Sequence, residues 1–307
     1  MATTVVAPVG NSIGLASKYL PILDEIYKAG SKTAILDTAE NRVRFLNAQT
    51  CYLYETDPVG LGDYSRNAGY VPGDVDGTWR AYTLDKDRGR SFMVDAMDDE
   101  ETIGMAFGTL LGEFERVKVV PEVDAIRFAL YSKKASDSMK TAENISSGAG
   151  AVAAIDLGTE KLDDAEVPYE GRILFVNPTM YRYLKAGITR YTMNGENGID
   201  YNVEMYNDMR VITVPSGRFN TVCTLAQPTD HDGAGGYTAA GSTINFMIVH
   251  PSAVMQVVKH NIPRIFSPAE NQEADAWKLN YRIYHGCWVK HNKANGIYVN
   301  APTVVSA

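Results

Sequence analysis

The segment 98–133 constrains this chain more than any other. Asp98 can cap a helix, with Glu101 three residues on in capping-box position, and Asp99, Glu100 and Glu101 complement the positive end of a helix dipole. Apolar residues then recur at Ile103, Phe107, Leu110, Phe114 and Val117, in alternating steps of four and three. A second stripe runs through Val119, Val123, Ile126 and Leu130, offset from the first by two residues, with Pro121 at the break. The pattern predicts one long helix, kinked or interrupted at Pro121. Such a rod must lie against something else to bury its stripe.

The flanking segments say what that could be. Residues 1–50 carry few periodic signals beyond a short helical stretch at 19–29, and read as an extended arm. Residues 51–97 read as an excursion from the core. The stretch 61–77 is rich in Gly, Asp, Asn and Pro, which form turns. Beyond it, 79–84 and 90–94 read as two strands joined by a charged turn at 85–89, a β-hairpin with Lys86, Arg88 and Arg90 near its tip. An isolated two-stranded ribbon is marginally stable and needs a surface to lie on.

Residues 132–170, Gly/Ser-rich at 146–150, read as a loop or boundary. The next part of the chain is α/β. The buried-type strand 173–176 precedes Asn177-Pro178 and a helix at 179–186. The strand 244–249 precedes His250-Pro251 and an expected helix at 252–260, each proline sitting where a helix starts. A third strand is expected at 210–214, and the Gly-rich stretch 228–241 reads as a mobile loop. The chain returns to β at 279–289 and at 297–299, after the turn signal Asn295-Gly296. These last strands are expected against the long helix rather than within the α/β part.

With 307 residues and 45% hydrophobic content the chain can build a substantial core and two subdomains. The 18 tyrosines suit interfaces as well as cores. The net charge is −8, and no basic stripe is visible, so strong sequence-independent DNA binding is not expected. Cys51, Cys223 and Cys287 lack close spacing and read as buried thiols, not zinc ligands or a disulfide framework. No signal peptide and no apolar run of membrane-spanning length is present, so no membrane partner is expected.

No catalytic constellation stands out, and no cofactor or metal is expected. The run 148–153 resembles a dinucleotide loop but lacks a strand immediately before it. Asp230, His231 and Asp232 read as a solvated turn. His285 and Cys287 share a strand face with His291 nearby, but two candidate ligands do not make a site.

The order arm, charged hairpin, long helix, α/β subdomain and returning strands resembles the HK97-fold major capsid proteins of tailed bacteriophages. Local stretches are similar too: DYSRNAGY at 63–70, DRGRSF at 87–92, MDDEE at 97–101, YNVEMY at 201–206 and FMIVHPSAV at 246–254. The resemblance covers nearly the whole chain and implies an α+β fold. Its parts would be an N-terminal arm (1–50), an extended E-loop hairpin (51–97), a spine helix with the first part of a peripheral domain (98–145), an axial domain (146–262) and returning peripheral strands (263–307). It implies a structural protein that self-assembles into pentamers and hexamers of an icosahedral head, with portal and scaffolding proteins as partners, enclosing double-stranded DNA without sequence-specific contacts. Its place would be the virion, after assembly in the host cytoplasm. The region before the hairpin is too short for the fused scaffold that some members carry, and no partner for covalent cross-linking through Lys86 is identifiable. Two alternatives share the composition: an encapsulin-like compartment shell of the same fold, and a soluble α/β enzyme. For the capsid reading, the residues expected at subunit contacts are Lys86, Arg88 and Arg90 on one copy against Asp98, Asp99, Glu100 and Glu101 on its neighbour.

Overall fold

The computed structural model describes residues 30–37, 50–58, 60–61, 63–64, 66–67, 70, 75–96, 112–188, 203–228 and 235–304. Strand β1 is Thr50–Pro58, β2 Val75–Thr83 and β3 Lys86–Asp95. The long helix α1 spans Val120–Lys134, continuing a helical run that starts at residue 112. After it come β4 (Lys140–Ala142), α2 (Gly148–Asp164), β5 (Ile173–Val176), α3 (Pro178–Gly187), β6 (Met205–Tyr206) and β7 (Met209–Thr213). Strands β8 (Asn220–Ala226), β9 (Gly236–Thr243), β10 (Phe246–Val249), β11 (Val254–Asn261), β12 (Arg264–Phe266), β13 (Ala276–Val289) and β14 (Ile297–Ala301) follow.

A mixed six-stranded sheet, ordered β4-β14-β10-β5-β7-β6, forms one half of the core. Its central strands are buried on both faces, which is why they read as unbroken apolar runs. Period-two alternation sorts their side chains. Leu174, Val176, Phe246, Ile248 and Tyr298 face α2 and α3, while Ile173, Phe175, Met247, Val249 and Val299 join the core with Phe128 and Tyr131 of α1. The sheet is therefore sandwiched between helices. The second sheet is built on β13, with β3 along one edge and β11 and β12 in succession along the other. Tyr281 and Ile283 of β13 pack on Val119, Val120 and Val123 of the helical rod. The rod thus lies across both sheets.

The interruption at Pro121 takes a defined form. Residues Glu115–Val119 make a π-turn, in which Val120 N–H donates to the Glu115 carbonyl five residues back. Proline offers no N–H, and its ring crowds the carbonyl four residues earlier, so the preceding turn widens. The extra residue in that turn rotates the apolar stripe, which accounts for its offset in the sequence. Val117 of the first stripe is accordingly exposed, and Phe114 is half-buried against Phe92 (centroids 4.7 Å apart) and Tyr281 (5.5 Å).

Several expectations are corrected. The ribbon is not 79–84 with 90–94. β2 pairs antiparallel with β1, Tyr54 opposite Trp79, while β3 leaves to pair with β13. Buried Leu84 pins the two-residue junction between them. The turn-rich stretch that follows Pro58 is the ribbon's own connection. Most of the expected helix 252–260 is β11, because the Val-rich segment from Val254 onward pairs residue by residue with β13. Half of the Gly-rich stretch 228–241 is β9, paired with β8. The expected loop 132–170 contains α2, capped by Ser147, whose hydroxyl accepts from Gly150 N–H. Finally, β13 packs on the helix as expected, but β14 enters the middle of the six-stranded sheet.

Candidate assembly surfaces

The ribbon β1–β2 carries a one-sided aromatic surface. Tyr52, Tyr54 and Trp79 point to the same face, the Tyr54 and Trp79 rings are 5.0 Å apart, and all three are exposed, Trp79 at 65%. Gly77 leaves room for the Tyr54 ring; a Cβ there would collide with its hydroxyl. In the connection, Tyr64 and Tyr70 stack at 5.0 Å and Leu61 is fully exposed. The ribbon's base is fixed by contrast. Cys51 is buried there, Tyr82 packs edge-on to Trp288, and Trp288 Nε1 donates to the Thr83 carbonyl at 3.2 Å. Contiguous exposed aromatics on a supported ribbon are a contact surface in search of a partner.

The predicted basic trio sits elsewhere. Lys86, Arg88 and Arg90 alternate along β3 and share its half-buried face, opposite His285, Ile283 and Tyr281 of β13. They are not at a projecting tip. Arg88 is engaged within the subunit: Nε donates to Glu122 of α1 at 2.7 Å, and its other nitrogens donate to the carbonyls of Ala226 (2.9 Å) and Gly236 (3.2 Å). Lys86 pairs with neighbouring Asp85 at 2.6 Å. On the opposite, exposed face, Asp87 meets Arg282 through two hydrogen bonds, and that contact holds its carboxyl below the usual range. Asp98, Asp99, Glu100 and Glu101 lie outside the described residues.

A buried polar cluster on α1 escaped the sequence reading. Asp124, fully buried, accepts from Ser31 Oγ and Thr33 Oγ1, each at 2.8 Å, from Lys32 N–H at 3.0 Å, and from Arg218 at 3.4 Å. One turn on, Arg127 donates to Thr33 Oγ1 at 2.7 Å, and its guanidinium lies 3.1 Å from Asp37. Residues 30–37 are thereby strapped onto the rod. The legible signal was two charges inside the otherwise apolar run 123–131, where an unpaired charge would be prohibitive.

His285 is a second unforeseen feature. It is fully buried on β13, with no hydrogen-bond partner for either ring nitrogen among the described residues. Burial first, and then the positive charges of Arg127, Lys86 and Arg88, push its pKa down to about 3. Burial likewise raises the Cys287 thiol to about 12, which leaves it inert. No group of metal-ligating side chains is found among the described residues.

No protein-family model matches the sequence, and no curated protein matches it. Solved structures do. The chain is similar to the capsid structure of the cyanophage P-SCSP1u, with a TM-score of 0.60 and 12% identity over 89% of this chain and 86% of that one. It is similar to a protein in the asymmetric unit of the bacteriophage PhiM1 mature capsid, with a TM-score of 0.57 and 15% identity over 83% and 82%. A Gordonia phage Cozz structure gives 0.57 and 14% over 92% and 86%. The fold is the mixed α+β fold of phage capsid proteins.

Proposed function

We propose that this chain is the major capsid protein of a tailed bacteriophage, a structural subunit that assembles into pentamers and hexamers of an icosahedral head around double-stranded DNA. The observation that carries the reading is a whole-length fold shared with phage capsids together with a supported ribbon whose aromatic face lies bare on the subunit. In this reading the ribbon β1–β2 and its connection act as the extended loop laid over a neighbouring copy. Residues 1–50 are the arm, strapped to the rod at 30–37. The rod is the spine, the β13 sheet the peripheral domain, and the six-stranded sheet with α2 and α3 the axial domain. The contact between copies is heterologous and closes into rings. Portal and scaffolding proteins are its partners during assembly in the host cytoplasm, and the structural role requires no catalysis. The acidic run at 98–101 remains a proposed contact. Its basic counterpart in the earlier expectation, Arg88, is spent within the subunit.

Electron microscopy of the purified protein tests the reading, with closed shells the expected result. Replacing Tyr54 and Trp79 by Ser should leave a folded subunit that forms no shells. Particles indistinguishable from wild type would refute the role given to the ribbon, and a wild-type monomer under every assembly condition would refute the capsid reading itself.

A further inference from the structure

Strand β3 is ten residues long and pairs with β13 in an unbroken register. Among the described residues no strand lies along its other edge. One bond sets the phase of its backbone: Ala96 N–H donates to the Asp275 carbonyl at 3.0 Å. Residues of an antiparallel strand turn their backbone groups alternately toward and away from the partner. Lys86, Arg88, Arg90, Phe92 and Val94 therefore face β13 with their N–H and C=O groups, and Asp87, Gly89, Ser91 and Met93 turn theirs outward. The side chains of the outward set lie on the exposed face of the sheet. Outside the ribbon, the other free edges among the described residues are short or irregular. β4, β6 and β12 have three, two and three residues. The β8–β9 pair and β11 carry register shifts. Edges that must stay single are blunted by bulges, proline or brevity, and β3 uses none of the three.

We propose that β3 pairs antiparallel with β3 of a second copy across a two-fold axis, joining one ring of the shell to the next. The inference rests on the shell-subunit reading and deepens it. Heterologous contacts close a ring but leave separate rings unconnected. Adjacent rings of an icosahedral shell are related by two-fold axes, so the surface that joins them must complement itself. A strand edge does so directly, because in an antiparallel self-pair each outward N–H faces a C=O of the other copy. Centring the pair on Ser91 overlaps the strands from 87 to 95. Exposed Met93 then lies across from Gly89 of the other copy, where no side chain competes for the space. Asp87 comes opposite Asp95 of the other copy, and Arg282, bonded twice to Asp87, supplies the counter-charge there.

Amide exchange of the full chain, free and in shells, tests the edge. The outward amides of Gly89, Ser91 and Met93 should slow by about tenfold to a hundredfold on assembly, while those of Arg88 and Arg90 are protected in both states. Shells whose outward amides exchange at the free-subunit rate overturn the proposal and leave the capsid reading standing. Ser91→Cys tests the occupant. In the two-fold pair the two Cα atoms are about 5.5 Å apart, within disulfide range. Oxidation of assembled shells with diamide should therefore give dimers bridged from residue 91 to residue 91. Protection without that bridge overturns the two-fold pair in favour of another strand, such as β1 of a neighbour's ribbon. Met93→Asp sets a third carboxylate beside Asp87 and Asp95. It should leave folded subunits and free rings but cut shell yield about tenfold or more. Normal shells from this variant overturn the pairing, and if it misfolds the exchange and cross-linking results decide. A wild type that forms no shells removes both this inference and the reading beneath it.

Discussion

Arg88 of β3 and Glu122 of α1 meet at 2.7 Å, each largely shielded from solvent, and so tie the β13 sheet to the helical rod inside one subunit. Arg88, expected at a contact between copies, is thus held by partners within its own chain. Arg88→Glu should therefore destabilise the isolated subunit by about 2–4 kcal/mol, since it breaks a shielded pair and leaves two carbonyls without their donor. Denaturant unfolding of the soluble subunit reads this. Joint exchange with Glu122→Arg should recover part of the loss, and an unchanged midpoint for the single variant would mean the pair contributes nothing.

Asp124→Asn should release the strap. Its carboxylate accepts from two hydroxyls and a backbone N–H of residues 31–33, and an amide cannot accept from all of them. Amide exchange at Lys32 and Thr33 should rise by one to two orders of magnitude, for a local cost of about 2 kcal/mol. Limited proteolysis should then cut within 30–37 while α2 and α3 stay intact. Unaltered exchange would show that apolar contacts of Leu36 hold the strap instead.

Phe114→Asp should lower subunit stability by about 2–4 kcal/mol, through the lost ring contacts with Phe92 and Tyr281 and the charge set beside them. Val117→Asp, at a position that the π-turn turns outward, should cost less than about 0.5 kcal/mol. Equal losses at the two positions would contradict the rotation of the stripe.

Acid should weaken the fold through His285. Its pKa is about 3 when folded and returns to about 6.5 when unfolded, so the unfolded chain binds the extra proton. Stability is complete above about pH 6.5 and falls as pH drops from there toward about 3, with about 2 kcal/mol lost by pH 5. His285→Gln should flatten this part of the profile in urea unfolding between pH 7.5 and 5. An equally steep profile in the variant would place the acid sensitivity on other groups.

Local signals made much of this architecture legible. The apolar runs at 173–176 and 246–249, Asn177-Pro178 before α3 and the phase shift at Pro121 each reflect chemistry within a few residues. Long-range pairing was not legible. Whether 86–95 folds back on 75–83 or joins a strand near residue 280 depends on which edge is free, and no neighbouring residue reports that. Pro251 resembles Pro178, yet one precedes a strand and the other a helix, because Val254 to Val258 had a partner in β13. The glycines that disguised α2 as a loop serve packing. A Cβ on Gly148 would stand 2.6 Å from Gly187 N, and one on Gly158 would enter the ring of Tyr298. Among the candidate contacts, the basic residues were visible but their use was not, since alternation along a strand does not say what lies across from it.

The position of β14 sets an order of events in the cell. Lying between β4 and β10, it is an interior strand, so roughly 300 residues must leave the ribosome before the six-stranded sheet can close. Until then β4 and β10 offer unpaired edges that invite wrong partners. Subunits still under synthesis therefore lack a finished sheet. The fold is therefore completed only near the end of synthesis, by the last strand of the chain.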